Sequence, residues 1–456
     1  MKNVSNTSKN TIWCFPLIMI LIMMSLSVVA FGDTCSYISN FHFYIYLVIV
    51  ILDFIKDNAS VSLIQVFLVG VIYIIIPEGL LYGYSHLVPA LRFLFVSVDF
   101  VLFGYFIFST KNHRISRQRN FLISFKTPMV GLFLWLVYLL FLYKSVPGAI
   151  YAYSGGRSTS SGGGNLGSVL NIVIKSSGLV LPALLAFYGK MKGRSIVWSL
   201  AMSIPIFLII FLKGTRFPLL FSLLGYCLTS GAVTLINMKL KTVIMVLAVA
   251  FLLNEASSMM REFRVFGLQE SVEENSQSNQ IQVVDKEKLF SQKVASHLSA
   301  EGIVDMMDLS MHYFEYHPHT YGRSLSFPLY FWIPRAIWPS KPTMIGYWLV
   351  REERIVGETH SASFGFVGEA YADFGIFSSI IMFLLGMLIK RMNEFKDDVF
   401  RNAADSNKVI IASMLYPYVF FMVRSPVTGT ITFIGVAVYY FLYSKIIEKY
   451  KKYNDC

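Results

Sequence analysis

A chain of 456 residues that is 55% apolar and only 14% charged is not composed like an ordinary soluble domain, where about 45–50% are apolar and about 25% charged. Its net charge of +12 would suggest nucleic acid in a soluble protein, but the distribution of that charge gives it another origin.

A bilayer core about 30 Å thick takes about 20 apolar residues per spanning helix, and blocks of this kind recur along the chain. In order they cover 13–31, 41–55, 61–80, 87–108, 128–143, 168–188, 195–212, 217–236 and 242–256. After one long interruption come 364–389, 408–423 and 429–447. The first block lacks a small-residue cleavage site and more blocks follow, so it reads as a span and not as a cleaved signal. The expected fold class is an all-α polytopic membrane protein of about twelve transmembrane helices.

With the N-terminus placed in the cytoplasm, the inner loops and tail hold 22 of the 39 Lys and Arg residues. They include Lys111, Arg114, Arg117, Arg119 and Lys126, then Lys190, Lys192 and Arg194, then Lys390, Arg391, Lys396, Arg401 and Lys408. The short outer loops hold only Lys144, Arg157, Lys213, Arg216 and Arg424. Alternation stays in phase over all twelve blocks, as the positive-inside rule requires. Both termini are expected in the cytoplasm, and no nucleic-acid partner is needed to explain the basicity. Cys14 and Cys227 fall in spans, Cys35 outside and Cys456 inside, so no internal disulfide is expected.

Three regions follow: helices one to nine in 1–256, a large outer loop in 257–361, and helices ten to twelve with a cytoplasmic tail in 362–456. The loop opens with polar SVEENSQSNQ. Residues 295–316 have helical apolar spacing and are expected to form an amphipathic helix on the membrane surface. SFPLYFWIPRAIWPSKP, dense in proline and aromatics, should be irregular and rigid, and TMIGYWLVREERIVG is a second short helix. YSGGRSTSSGGGNLG in the loop 144–167 contains G-x-G-x-x-G, but no strand precedes it, so it reads as a flexible loop.

Guanidinium groups concentrate where the outer face is expected: Arg216, Arg261, Arg264, Arg323, Arg335 and Arg424, with Lys341 beside them. Arginine holds two phosphate oxygens at once and stays charged at any working pH. Such a cluster at headgroup level suits a lipid-linked diphosphate. Snorkelling to ordinary headgroups is the plainer account of any one of them. Glu369 and Asp373 lie at i and i+4, on one helix face near the outer boundary, and Glu369 is a candidate general base. His360, at the junction of loop and span, is a second. Asp99 is expected to make a structural pair with Arg92 or Lys175. His312, Glu315, His317 and His319 have a metal-ligand composition, but Pro318 interrupts the helix that would present them together and no zinc spacing is matched, so no metal and no cofactor are expected.

FWIPRAIWPSKPTMIGYW, followed by THSASFGFVGEAYADFG, resembles the Wzy-type oligosaccharide repeat-unit polymerases, or O-antigen polymerases. The chain is similar to them also in its dozen spans, its one large outer loop late in the chain, and the element Gly214-Thr215-Arg216 opening a helix. The resemblance implies a GT-C-like membrane fold in a bacterial inner membrane. It implies a metal-independent glycosyltransferase of lipopolysaccharide or capsule biosynthesis, acting on the periplasmic face. Donor and acceptor would be undecaprenyl-diphosphate-linked oligosaccharides, with a chain-length regulator as a further partner. Family arginines map to Arg216, Arg323, Arg335 and Arg424, and a G-x-x-x-E element to Gly365 and Glu369. In the expected site Glu369, His360 and Arg335 are catalytic, while Arg216, Arg261, Arg264, Arg323, Lys341 and Arg424 bind substrate. Two other readings stay open at this point. One is an O-antigen ligase of similar topology, and the other is a flippase or transporter of lipid-linked oligosaccharides.

Overall fold

The computed structural model describes residues 21–22, 42–51, 61–82, 88–108, 128–153, 166–213, 216–231, 303–334, 336–352, 363–402 and 408–454. These residues form helices and connecting turns. In chain order the helices are α1 (His42–Ile51), α2 (Leu63–Tyr82), α3 (Val88–Ile107), α4 (Pro128–Tyr153), α5 (Leu166–Met191), α6 (Ile196–Leu212) and α7 (Arg216–Ser230). They continue with α8 (Ile303–Tyr316), α9 (Phe327–Tyr330), α10 (Ile345–Glu352), α11 (Gly365–Phe374), α12 (Ser378–Asn402), α13 (Lys408–Arg424) and α14 (Pro426–Asn454). Helices therefore occupy ten of the twelve expected blocks. The block 242–256 and nearly all of 13–31 lie outside the described residues.

Among the described residues, Pro89–Ile107, Val130–Pro147, Gly365–Phe400 and Pro426–Ile446 are long and apolar enough to cross a membrane. His42–Ile51, Leu63–Tyr73, Ile196–Leu212 and Pro218–Ser230 are apolar but shorter. The outward surface agrees with a bilayer as solvent. On α4, Leu132, Trp135, Leu136 and Leu139 are all more than half exposed, and Val197 and Leu208 on α6 likewise. In water a continuous apolar surface of this kind would drive association.

The interior is assembled by close helix crossings, the means available where lipid supplies no hydrophobic drive between helices. The most extensive contact joins α3 to α12. Its geometry is set by two glycines, because a Cβ on Gly104 would lie 2.0 Å from the Phe383 carbonyl oxygen and one on Gly386 2.0 Å from that of Val101. The α5–α7 crossing carries a hydrogen bond from the Ser222 hydroxyl to the Gly178 carbonyl at 3.1 Å.

Three features depart from the expectations. The block 364–389 lies almost wholly within one segment long enough to cross a membrane but is not a single α-helix: α11 stops at Phe374, Gly375 takes φ +56°, and a 3₁₀ turn (Gly375–Phe377) leads into α12. Only a residue without Cβ fits here, since a Cβ would come within 2.5 Å of His319 Nε2. Next, α8 turns its buried face, Ile303, Val304, Met307 and Phe314, onto α11, α3 and α2, so protein and not lipid covers its apolar side. Finally, α12 runs on as helix through residues expected in an inner loop. Lys396 is 1% exposed there and donates to the Val61 carbonyl at 3.0 Å, while Asn393 Oδ1 accepts the Leu63 N–H at 2.9 Å, so this end of α12 caps the start of α2. Lys390 and Arg391 lie over the Tyr105 and Phe108 rings.

Candidate functional site

The site is organised by α11. Gly365 opens it at φ +66°, with Ile303 Cγ2 only 2.8 Å from where a Cβ would stand, and residues Gly365–Ala370 are buried. The i, i+4 spacing puts Glu369 and Asp373 on one face, as expected, and both are buried, at 6% and 0% exposure. Each carboxylate secures a different piece of chain.

Glu369 Oε2 accepts the N–H of Val427 at 3.3 Å. Val427 belongs to the first turn of α14, where unsatisfied amides and the helix dipole favour a negative group. The Ser363 hydroxyl donates to the Arg424 carbonyl. The chain on both sides of the α11 start is thereby fixed to the joint between α13 and α14, and this joint carries Arg424. That side chain is half-buried and engaged in interactions of its own.

Asp373 holds the turn that follows α8. The Ser324 N–H donates to Oδ1 at 3.0 Å, the Leu325 N–H to Oδ2 at 2.7 Å, and the Thr320 hydroxyl also to Oδ1. Backbone bonds of 2.9 Å from Thr320 N to the Ala372 carbonyl and from Tyr321 N to the Asp373 carbonyl complete the joint. Tyr321 and Gly322 adopt φ +48° and +87°, a reversal that leaves Arg323 exposed at the crest. The Tyr330 hydroxyl donates to the Arg323 carbonyl. Burial pushes the Tyr330 phenol up, so it remains a neutral donor.

The remaining expected residues fall as follows. Lys341 is 6% exposed and its ammonium donates to the carbonyls of Phe331 (3.0 Å) and Ile333 (2.7 Å), beside the Phe327 ring. It staples the proline- and aromatic-rich segment around α9. Arg216 opens α7, and its side chain is not among those described. Arg261, Arg264, Arg335 and His360 lie outside the described residues. The loop histidines diverge. His312 sits in an exposed pair with Glu315 at 3.5 Å, His317 stacks on Tyr313 with ring centroids 4.0 Å apart, and His319 turns inward against Phe314 and Tyr371.

Asp99 has partners that the sequence reading did not anticipate. Tyr46 donates to its Oδ1 at 3.0 Å and His42 Nε2 lies 3.5 Å from its Oδ2, all three side chains being almost wholly buried between α1 and α3. The spacing of His42 and Tyr46, one helical turn apart, was the available signal.

No family model matches the chain, and neither a curated protein nor a solved structure shows significant similarity to it.

Proposed function

We propose that the protein polymerises undecaprenyl-diphosphate-linked oligosaccharide repeat units, of O-antigen or capsule type, at the outer face of a bacterial inner membrane. One observation carries the reading: two buried carboxylates one turn apart on α11 each fix an arginine-bearing turn, Glu369 that of Arg424 and Asp373 that of Arg323. A scaffold of this type keeps cationic groups at set positions, which is what stabilising charge on a leaving diphosphate requires. The alternation of basic residues supports the topology that goes with it, about twelve spans with both termini in the cytoplasm and residues 257–361 outside.

In the proposed reaction a hydroxyl of the acceptor unit attacks the anomeric carbon of the donor glycan. The bond from that carbon to the diphosphate oxygen breaks, and its electron pair leaves with the carrier diphosphate. Arg216, Arg323, Arg335 and Arg424 neutralise that charge, with Arg261 and Arg264 guiding the diphosphate in. Glu369 or His360 takes the hydroxyl proton. The experiment replaces Arg216, Arg323, Arg335 and Glu369 singly, confirms membrane insertion, and separates the cell-surface glycans on a ladder gel. Collapse to single repeat units is expected, and normal long ladders from all four variants would overturn the assignment.

The buried His42–Tyr46–Asp99 cluster favours one second reading, a transporter of lipid-linked oligosaccharides, since ionisable groups inside membrane helices often mark ion or proton routes. Deleting the gene separates these readings. Loss of a polymerase leaves single units on the surface, and loss of a transporter leaves none. Loss of a ligase leaves polymer on the carrier.

A further inference from the structure

Helices α4, α5 and α6 enclose a cleft that the proposed chemistry does not use. Its volume is about 420 Å³, and its walls include Leu134, Trp135, Tyr138, Leu185, Tyr188 and Trp198. Gly131 keeps one side open, since a Cβ there would approach the Tyr188 hydroxyl to 3.1 Å. At its mouth stand Lys192 and Arg194.

The mouth is rigidly built. α5 ends in a Schellman arrangement, with Arg194 N–H donating to the Gly189 carbonyl at 2.8 Å, Gly193 N–H to that of Lys190 at 3.2 Å, and Gly193 at φ +62°. Ser195 then caps α6, its hydroxyl accepting the Trp198 N–H at 3.3 Å. Four consecutive residues thus reverse the chain and display two cations, with Lys190 one turn away. Lys192 lies over the Tyr188 ring at 6.0 Å, and Arg194 is exposed.

Charge defines the occupant. No Asp or Glu occurs anywhere between Asp99 and Glu255, so none of the helices lining the cleft supplies a counter-charge. The outer surfaces of α4 and α6 around it are apolar and exposed, so an aliphatic chain entering the cleft leaves one apolar surrounding for another. A ligand that satisfies both ends carries an anionic phosphate head and a hydrocarbon tail. Basic pockets between membrane helices at headgroup level are suited to such lipids. We propose that this cleft is a binding site for an anionic phospholipid, with the phosphate on Lys192 and Arg194 and the upper acyl chain between Trp135 and Trp198.

The test uses the purified full-length protein in detergent, titrated with phosphatidylglycerol or phosphatidylcholine and read by native mass spectrometry. Wild-type protein is expected to retain a first phosphatidylglycerol with about tenfold preference or more over phosphatidylcholine. The pair Lys192→Gln and Arg194→Gln should remove that preference. Gly131→Leu, which fills the cleft and leaves the charge untouched, should weaken retention of the first lipid as well. Lys390→Gln with Arg391→Gln, at another basic site, should change neither. Equal retention of the two lipids by wild type, or a preference undiminished in both cleft variants, overturns the proposal. Full displacement of phosphatidylglycerol by millimolar inorganic phosphate also overturns it, by showing a site for free phosphate in which the acyl chain plays no part.

Discussion

The carboxylate of Asp373 receives the backbone N–H of Leu325 at 2.7 Å, joining positions 48 residues apart. With the Ser324 amide on its other oxygen, this one side chain serves the turn around Arg323 as a capping residue serves a helix. Hydrogen bonds to a charged acceptor contribute about 1.5–3 kcal/mol each, and stranding buried donors costs more. Asp373→Ala should therefore lower the thermal midpoint in detergent markedly, and Asp373→Asn, which retains one acceptor, by less. Both should shorten the glycan ladder although Arg323 itself is intact. An unchanged midpoint for Asp373→Ala would show that the turn is held by other contacts.

The α3–α12 crossing makes a second prediction, independent of function. Backbone carbonyls stand where a Cβ of residue 104 or 386 would be, and backbone cannot rotate aside as a side chain can. Gly386→Ala should force the helices apart, costing about 1–3 kcal/mol or more, visible as reduced folded yield in size-exclusion chromatography. Leu388→Ala, two residues on and facing outward, serves as the control and should elute as wild type.

Local pattern accounts for what the sequence disclosed. Apolar blocks located helices at ten positions, because length and hydropathy are properties of a continuous segment, but not all of their ends, since α4 and α12 run on to Tyr153 and Asn402 from blocks expected to end at 143 and 389. The i, i+4 spacing of Glu369 and Asp373 predicted a shared face for the same reason. Partners did not show, since a hydrogen bond such as Lys396 to Val61 spans 335 residues and leaves no local mark. Asp99 was expected to pair with a full cation, Arg92 or Lys175, and the imidazole and phenol that α1 packs against it were not foreseen. The break at Gly375 was hidden because a lone glycine inside an apolar block usually remains helical. What decides its conformation is His319, which packs into the space that a Cβ would fill.

Lys341 illustrates how far burial changes the expected behaviour of a cation. Its ammonium is occupied by two backbone carbonyls of the segment ten and eight residues before it. Lys341→Met preserves the aliphatic stem and leaves both carbonyls without that donor. The expected result is faster proteolysis within residues 327–343 of the solubilised protein, with the thermal midpoint of the helical bundle little changed. If ladder length falls while the protease pattern stays as in wild type, Lys341 acts on substrate directly.

Glu369 allows two roles to be separated at a single position. As an acceptor for the Val427 amide it ties α11 to the start of α14, and for that task a neutral oxygen suffices. As the base that takes the acceptor proton it must be able to ionise. Glu369→Gln keeps the volume and an oxygen that can receive the Val427 N–H but removes the base. Glu369→Ala removes both. The polymerase reading predicts that the glutamine variant folds with a midpoint near wild type while its polymerisation rate drops by roughly 10²–10⁴, the usual worth of a general base. The alanine variant should lose stability as well as activity. Long ladders at near wild-type rate from Glu369→Gln, with instability confined to Glu369→Ala, would make Glu369 a structural tie and transfer the proton-accepting role to His360.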